Sequence, residues 1–364
     1  MATYCRDQFT PVKAEEGLTG TFRSDGSIGF YTNLLQAFPE NVLKDLDMEG
    51  RCVSTQHTFS SDGDATSNVV IINVYCPRAD SDNEDRMLYK LNFYHALELR
   101  CRELQKNGFS IIVLGDINTS HKLIDHCEPE DVDSFGKTPS RQWLDNFLTT
   151  SSETSNEEEE EEGKLTDSFR HLYPDKEKCF TCWNTKINAR INNYGTRIDY
   201  IFLTSKLVCK LDDCIILSEV QGSDHCPVRA LLKLEIIPSP KAPASCTKYF
   251  KEFSGKQQTM LQFVCNKRSH DVALGKHGQG SNEAKKIKTT TKQQSSLLSF
   301  FSQGSNSSSS NSTQSIAETK PNDDAFKFEE IASSAASVSS NNNNIQQLWK
   351  NFFKGENVML LLIK

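Results

Sequence analysis

The sequence predicts an α+β fold in which two sheets pack face to face and are flanked by helices, and three observations predict it. Short β-branched apolar runs alternate with segments of helical period along residues 1–238. The clearest runs end at acidic or glycine-led turns, where a sheet delivers side chains to a common cleft. Past Pro238 the alternation stops and Ser, Asn, Gln and Lys take over, so the sandwich ends there.

The elements follow in order. Residues 33–44 have helical spacing, interrupted by Pro39, which lacks a backbone donor. A strand is predicted over 68–75. The spacing predicts a helix over 87–107, with Leu88, Leu91, Tyr94, His95, Leu99 and Leu104 as its buried stripe and Asn107-Gly108 ending it. Ser110-Ile-Ile-Val-Leu114 is a continuous apolar run closed by Gly115, the pattern of a buried strand over 110–116. A short helix is predicted over 141–148, then strands over 197–203 and 227–236.

Three stretches carry groups suited to phosphate chemistry: Gly115-Asp116-Ile117-Asn118, Arg197-Ile198-Asp199-Tyr200 and Gly222-Ser223-Asp224-His225-Cys226-Pro227. Asp116 and Asn118, two apart on extended chain, point to one side. A hard divalent cation takes such oxygen ligands, although the same letters by themselves also describe a turn. His225 suits general-base or phosphate-polarising work near neutral pH. A carboxylate on its other ring nitrogen would fix the tautomer, and Asp199 is the candidate. Together, in this order, the three stretches point to a metal-assisted phosphodiesterase.

Ile72-Asn73-Val74-Tyr75-Cys76-Pro77, Leu114-Gly115-Asp116-Ile117-Asn118, Asn193-Tyr194-Gly195-Thr196-Arg197-Ile198-Asp199-Tyr200 and Gly222 to Pro227 resemble the ordered motifs of exonuclease III-type apurinic/apyrimidinic (AP) endonucleases. These belong to the endonuclease/exonuclease/phosphatase superfamily. The resemblance implies a four-layer α/β/β/α sandwich and a DNA-repair hydrolase using Mg²⁺, with Mn²⁺ as a substitute. Its substrates would be duplex DNA with abasic sites or with recessed or blocked 3′ ends. It also assigns roles: Tyr75 bonds the scissile phosphate, Asp116 orients or deprotonates the attacking water, and Asn118 stabilises developing negative charge. Asp199 and His225 match the carboxylate–imidazole pair at the phosphate. Asp116, Asn118, Asp224 and His225 stand at the implied metal site. Trp183, Arg190, Asn193 and Arg197 fall in the substrate-facing segment, though Trp183 equally suits a core indole.

Two departures stand out. Relatives carry a tryptophan where this chain has Thr196 and a phenylalanine near Cys182, both lining the pocket for a base-less sugar. The smaller side chains imply weak abasic-site cleavage relative to 3′-end trimming. Upstream of Tyr75 there is also no Asn-x-Asn-Gly element and no Leu-Gln-Glu-Thr motif, whose glutamate is the family's main metal carboxylate. Residues 1–238 are therefore expected to be the C-terminal two-thirds of such a catalytic domain, incomplete at the N-terminus. The alternative function is a catalytically impaired, clamp-binding fragment lacking N-terminal metal ligands. A superfamily hydrolase for inositol phosphates, sphingomyelin or poly(A) is a third reading, against which the Asn-x-Gly-x-Arg-Ile-Asp-Tyr form argues.

Composition bears on the rest of the chain. Hydrophobic residues make up 37% and mean hydropathy is −0.53, low for one globular unit of 364 residues. Residues 239–345 are expected to be a disordered linker. Within it Gln294-Ser-Ser-Leu297-Leu-Ser-Phe300-Phe301 resembles the motif that docks repair proteins onto the sliding clamp, PCNA. Leu297, Phe300 and Phe301 would form the apolar plug and Gln294 would bond at its rim. With Lys285-Lys-Ile-Lys288, this predicts a nuclear protein. Residues 346–364 read as a short aromatic and apolar tail, too short in its apolar run to span a membrane, so no membrane partner is expected. The net charge of −7 owes much to the acidic run 157–162, part of a loop insertion over 149–164. Twelve scattered cysteines read as reduced thiols, and Cys179-Phe-Thr-Cys182 as a chance CxxC without a second pair for zinc. A monomer is expected.

Overall fold

The computed structural model describes residues 1–61, 65–80, 82–129, 131–149, 164–253 and the backbone strand 359–363. The acidic run and the clamp residues Gln294, Leu297, Phe300 and Phe301 lie outside these residues. In chain order the first strands are β1 (Lys13–Glu16), β2 (Cys52–Ser60), β3 (Thr66–Tyr75), β4 (Ser110–Asp116), β5 (Thr166–Asp167) and β6 (Cys182–Trp183). They are followed by β7 (Gly195–Thr196), β8 (Asp199–Leu203), β9 (Leu211–Ile216), β10 (Val228–Leu232), β11 (Ile236–Ile237) and β12 (Met359–Ile363). The helices are α1 (Thr32–Ala37), α2 (Glu40–Met48), α3 (Glu84–Lys106), α4 (Pro139–Phe147), α5 (Ser168–Leu172) and α6 (Ser205–Val208).

The larger sheet runs β1-β2-β3-β4-β8-β5, with β11 also on β2. Its β3–β4 pair is parallel and its other pairs are antiparallel. The parallel pair needs a long crossover, which α3 supplies. The second sheet, β12-β10-β9, is antiparallel. One face of the larger sheet, through Val70, Ile72, Val113 and Phe202, packs on helix residues including Leu34, Leu46, Phe93, Leu97 and Phe147. The opposite face, through Val69, Ile71, Ile112 and Ile201, packs on Cys214, Val228, Ala230 and Leu232 of the second sheet, with Phe169 of α5 and Leu207 of α6 in the same cluster. Both faces of β3 and β4 are thus buried, which is why their sequences are continuous apolar runs. The expected sandwich of packed sheets flanked by helices is present.

The helix over 84–106 shows a different buried face from the one its leucines predict. Leu88 is 60% exposed, whereas Lys90, Phe93, Tyr94, Leu97, Arg100, Cys101, Glu103 and Leu104 are buried. Three charged groups hide within that true stripe because each has a partner. The Lys90 ammonium donates to the Asn118 carbonyl at 2.8 Å. Arg100 pairs with Glu15 at 2.7 Å, and Glu103 accepts from the Thr32 and Asn33 amides at 2.8 and 2.9 Å. Asn83 caps the helix start by accepting from the Arg86 amide, and Gly108, at φ +83°, follows its end.

Other boundaries moved for local reasons. Pro39 separates α1 from α2 rather than kinking one helix. The predicted strand 227–236 breaks after Leu232; its end becomes β11 and crosses to the larger sheet, pairing with Thr58 and Phe59. Several strands were not expected from the sequence, among them β2 and β12. β2 buries Ser54, Thr55, Gln56 and His57, a polar set that no apolar periodicity reveals, and is held by full-length pairing to β3. β12, in the C-terminal tail, pairs with β10.

Gly115 has φ +136°, and a Cβ there would lie 1.8 Å from the Val74 carbonyl oxygen. Backbone, not a flexible side chain, stands in the way. Gly115→Ala is therefore expected to lower stability by at least about 3 kcal/mol, read as a shift in the urea midpoint; an unshifted midpoint would contradict the close approach of β3 and β4.

Candidate active site

Strand register assembles the site. Tyr75 and Asp116 are partners across β3 and β4, and Asp116 and Asp199 are partners across β4 and β8. Three side chains therefore stand in one row at one end of the larger sheet. A separate segment then brings in the imidazole. The Thr181 amide donates to Thr196 O at 2.9 Å, the Cys226 amide to Thr181 O at 2.8 Å, and the Trp183 amide to Asp224 O at 2.9 Å. Residues 181–183 are thereby clamped between the chain that leads into β8 and the Gly222–Pro227 turn. The clamp sets His225 beside Cys182 as a bridge partner. The buried Thr181 hydroxyl accepts from the Ile198 and Asp199 amides at 3.0 and 3.1 Å, fixing the start of β8.

His225 Nδ1 meets Asp199 Oδ2 at 2.8 Å, and ligand atoms of Asp116, Asp199 and His225 all lie within 4.8 Å of one another. The convergence expected of three distant stretches is present. Burial, and then the charge of Asp199, push the Asp116 carboxyl up to about 7. Burial opposes the His225 charge, but bonds to Asp199 and Cys182 outweigh it and push the imidazole up to about 11. His225 therefore favours the imidazolium form, with Nδ1 held by Asp199 and the Cys182 thiol as a second partner of the ring. In that state the ring donates to an anion; on losing a proton it can ligate a metal, and His225 belongs to both groups of side chains spaced to hold one among the described residues.

Asn118 differs from its expected role. Its amide nitrogen donates to Cys76 O at 2.9 Å and to Asp116 Oδ2 at 3.1 Å, and its backbone N–H donates to Asp116 Oδ1 at 2.7 Å. With both side-chain protons engaged, Asn118 orients Asp116, and its Oδ1 is the atom left for a ligand. Asn118 adopts φ +57° to do this. Tyr75 is 47% exposed at the strand end, with the Arg51 guanidinium 4.8 Å from its ring centroid. Asp224 is exposed, and its ligand atom groups with those of Cys182 and His225.

Of the four residues expected to face substrate, Arg197 is a buried structural support, whereas Trp183, Arg190 and Asn193 line a cavity of about 490 Å³ while also bonding within the fold. Arg197 is 1% exposed and bonds Asp125 at 2.8 and 2.9 Å and Asp167 at 2.7 Å. At that burial its guanidinium is closed off from a phosphate. Trp183 is a core indole whose Nε1 donates to Asn193 at 3.1 Å, and Asn193 in turn donates to Lys178 O at 3.0 Å. Arg190 lies 4.5 Å over the Trp183 ring and donates to the carbonyls of Ser218, Val220 and Ser223. These residues brace the turn that carries Asp224 and His225. Sequence reading missed Asp125, Asp167, Thr181 and Lys90, whose only signal was a polar residue at a buried strand or helix position.

The donor set suits a divalent cation. Two carboxylates and an amide oxygen are hard ligands, and two acids this close resist ionising together unless a cation joins them. The residues present therefore form a possible acidic metal site.

Comparison with known proteins agrees with this geometry. The model of the "Endonuclease/Exonuclease/phosphatase family" matches residues 2–225. DNA-(apurinic or apyrimidinic site) endonuclease 2 of Xenopus laevis is 45% identical over 292 residues, covering 78% of this chain and 56% of the relative. The human protein of the same name is 39% identical over 266 residues, covering 72% and 51%. The chain thus spans about half the length of the curated relatives it matches. The crystal structure of the Xenopus laevis APE2 catalytic domain superposes with a TM-score of 0.63 at 46% identity, over 70% of this chain and 77% of that one.

Burial alone would raise the Asp125 carboxyl, but Arg197 and Arg170 hold it well below the ordinary carboxylate range. A depressed folded value gives stability that is complete above the unfolded value of about 3.9 and is lost as pH falls below it. Asp125→Asn should cost about 3–5 kcal/mol at neutral pH by leaving Arg197 buried with half its partners gone. It should also flatten the loss of urea stability between neutrality and acid. A variant as stable as the parent, or equally acid-sensitive, would contradict this.

Proposed function

We propose, for a chain that belongs to the endonuclease/exonuclease/phosphatase family with AP endonuclease 2 chains among its relatives, that it hydrolyses phosphodiester bonds of DNA. The substrates in this reading are recessed or blocked 3′ ends and, more slowly, abasic sites, with Mg²⁺ as cofactor. The protein would act in the nucleus, recruited by PCNA through Gln294, Leu297, Phe300 and Phe301. The observation that carries the reading is the meeting of Asp116, Asp199 and His225 within 4.8 Å.

Each side chain has a task in it. Asp199 holds the imidazolium, and Nε2–H of His225 donates to a non-bridging phosphate oxygen, where negative charge grows in the transition state. Asp116, oriented by Asn118, accepts a proton from the water that attacks phosphorus. The Tyr75 hydroxyl donates to the same phosphate from the neighbouring strand end. Asp116, Asp224 and Oδ1 of Asn118 would hold Mg²⁺, which supplies Lewis-acid polarisation of a phosphoryl oxygen. Cys182 and Thr196 are register partners, so the two small side chains face one spot beside His225. That shared loss of aromatic surface supports weak abasic cleavage relative to 3′ trimming.

Recessed-end and abasic duplexes incubated with the full chain test this. Cutting should require Mg²⁺ and favour 3′ ends. Asp116→Ala and His225→Ala should each lower the rate by about 10²–10⁴-fold; unaltered rates would remove these assignments. No cutting by the parent chain, with clamp capture intact, would favour the impaired-fragment reading. Separately, replacing Phe300 and Phe301 with Ala should abolish retention on immobilised PCNA while leaving uncoupled cleavage as it was, and surviving retention would refute the docking motif.

A further inference from the structure

We propose that Cys182, Asp224 and His225 form a second metal site, for a borderline transition-metal ion such as Zn²⁺. Their ligand atoms lie within 4.8 Å of one another. Tetrahedral zinc, with bonds of about 2.0–2.3 Å, sets its ligands roughly 3.3–3.7 Å apart, so the cluster needs to close by about 1 Å. The parts that must hold still do so: Cys182 and His225 are backbone bridge partners. The part that must move can, because Asp224 is exposed and its carboxylate accepts only from the neighbouring Ser223 hydroxyl among the bonds described.

A second observation points the same way. Asp199 occupies Nδ1 of His225 at 2.8 Å and Cys182 is the ring's other partner, so Nε2 is the nitrogen a metal would take beside the Cys182 sulfur. A carboxylate on the far nitrogen is the support that metal-bound histidines typically have, and it raises their basicity as ligands. Three protein ligands leave the fourth position open to water or an anion. Cys179, the other half of the CxxC, takes no part: its thiol donates to Glu177 O and packs with the inter-sheet cluster.

Donor chemistry separates this site from the acidic one. Asp116 and Asp199 with Asn118 Oδ1 offer oxygen and suit a hard cation, whereas Cys182 adds sulfur and selects a softer one. The two groups of ligand atoms meet at His225, and Asp224, which the proposed function gives to Mg²⁺, would serve one ion or the other. When Zn²⁺ binds, the Cys182 thiol and the imidazolium each release a proton to solvent and form bonds to the metal. His225 then has no N–H for a phosphate. Inhibition of hydrolysis follows from the proposed function; the binding itself does not depend on it.

The test uses the full chain, reduced, with Co²⁺ as a spectroscopic probe and Zn²⁺ as its competitor. Parent protein should show a thiolate-to-cobalt charge-transfer band that Zn²⁺ removes. Cys182→Ser should lose that band, and Asp224→Asn should weaken binding by at least the roughly 10-fold that even outer-shell losses cost. Both substitutions are small, and circular dichroism matching the parent confirms that each variant is folded. If the band persists at full strength in Cys182→Ser, its sulfur comes from another cysteine and the site is refuted. If binding is as expected and Zn²⁺ does not slow DNA hydrolysis, the metal site stands and the phosphate role of His225 falls.

Discussion

The buried guanidinium of Arg197 is the constraint on which the site depends. Its side chain bonds Asp125 and Asp167, and its backbone amide donates to Asp125 O at 2.9 Å. Arg170 adds a second cation to Asp125 at 2.6 Å. The Tyr200 hydroxyl bonds Arg197 O and Thr119 O at 2.8 and 3.0 Å and accepts from the His121 amide at 3.0 Å. Asp125 and Thr119 belong to the loop that follows β4, while Arg197 leads into β8. The network therefore pins the loop after Asp116 and Asn118 to the chain just before Asp199. Two carboxylates that repel each other are held in register by charges placed a few residues away. Removing one partner of such a cluster leaves a charge stranded in low dielectric, which is why the whole arrangement is cooperative.

The site is poised by competition between burial and neighbours. Asp116 is raised by burial and by a nearby acid, whereas His225 is raised by an acid despite burial. Asp199 acts on both, with opposite chemical results: it keeps the imidazole charged and makes the neighbouring carboxyl a better base. A single side chain at the first position of a strand thereby sets the protonation of the other two. Behind them, Asn118 fixes where Asp116 points with both amide protons engaged, and Lys90 donates to the Asn118 carbonyl.

Much of this was legible in the sequence. The strands over 110–116 and 66–75 are apolar on both faces because both faces are covered, and such runs announce themselves. Asp116, Asp199 and His225 were readable because each lies at the edge of an apolar run, and the resemblance added Tyr75. The supports were not. The resemblance placed Arg197, Arg190 and Asn193 in a substrate-facing segment; here their donors close on buried acids and backbone carbonyls. The face of α3 was misjudged because Lys90, Arg100 and Glu103 look like solvent residues until their partners arrive from elsewhere in the chain.

By itself the sequence determined the central strands, the crossover helix and which polar residues stand at strand ends, because apolar periodicity and turn chemistry are local. Tertiary structure decided which polar residues are buried, which nitrogen of His225 is held by Asp199, and that Cys182 lies beside it. Those outcomes depend on pairings across tens of residues, and on whether a charge meets its counterpart before it loses its water. No local pattern records that balance.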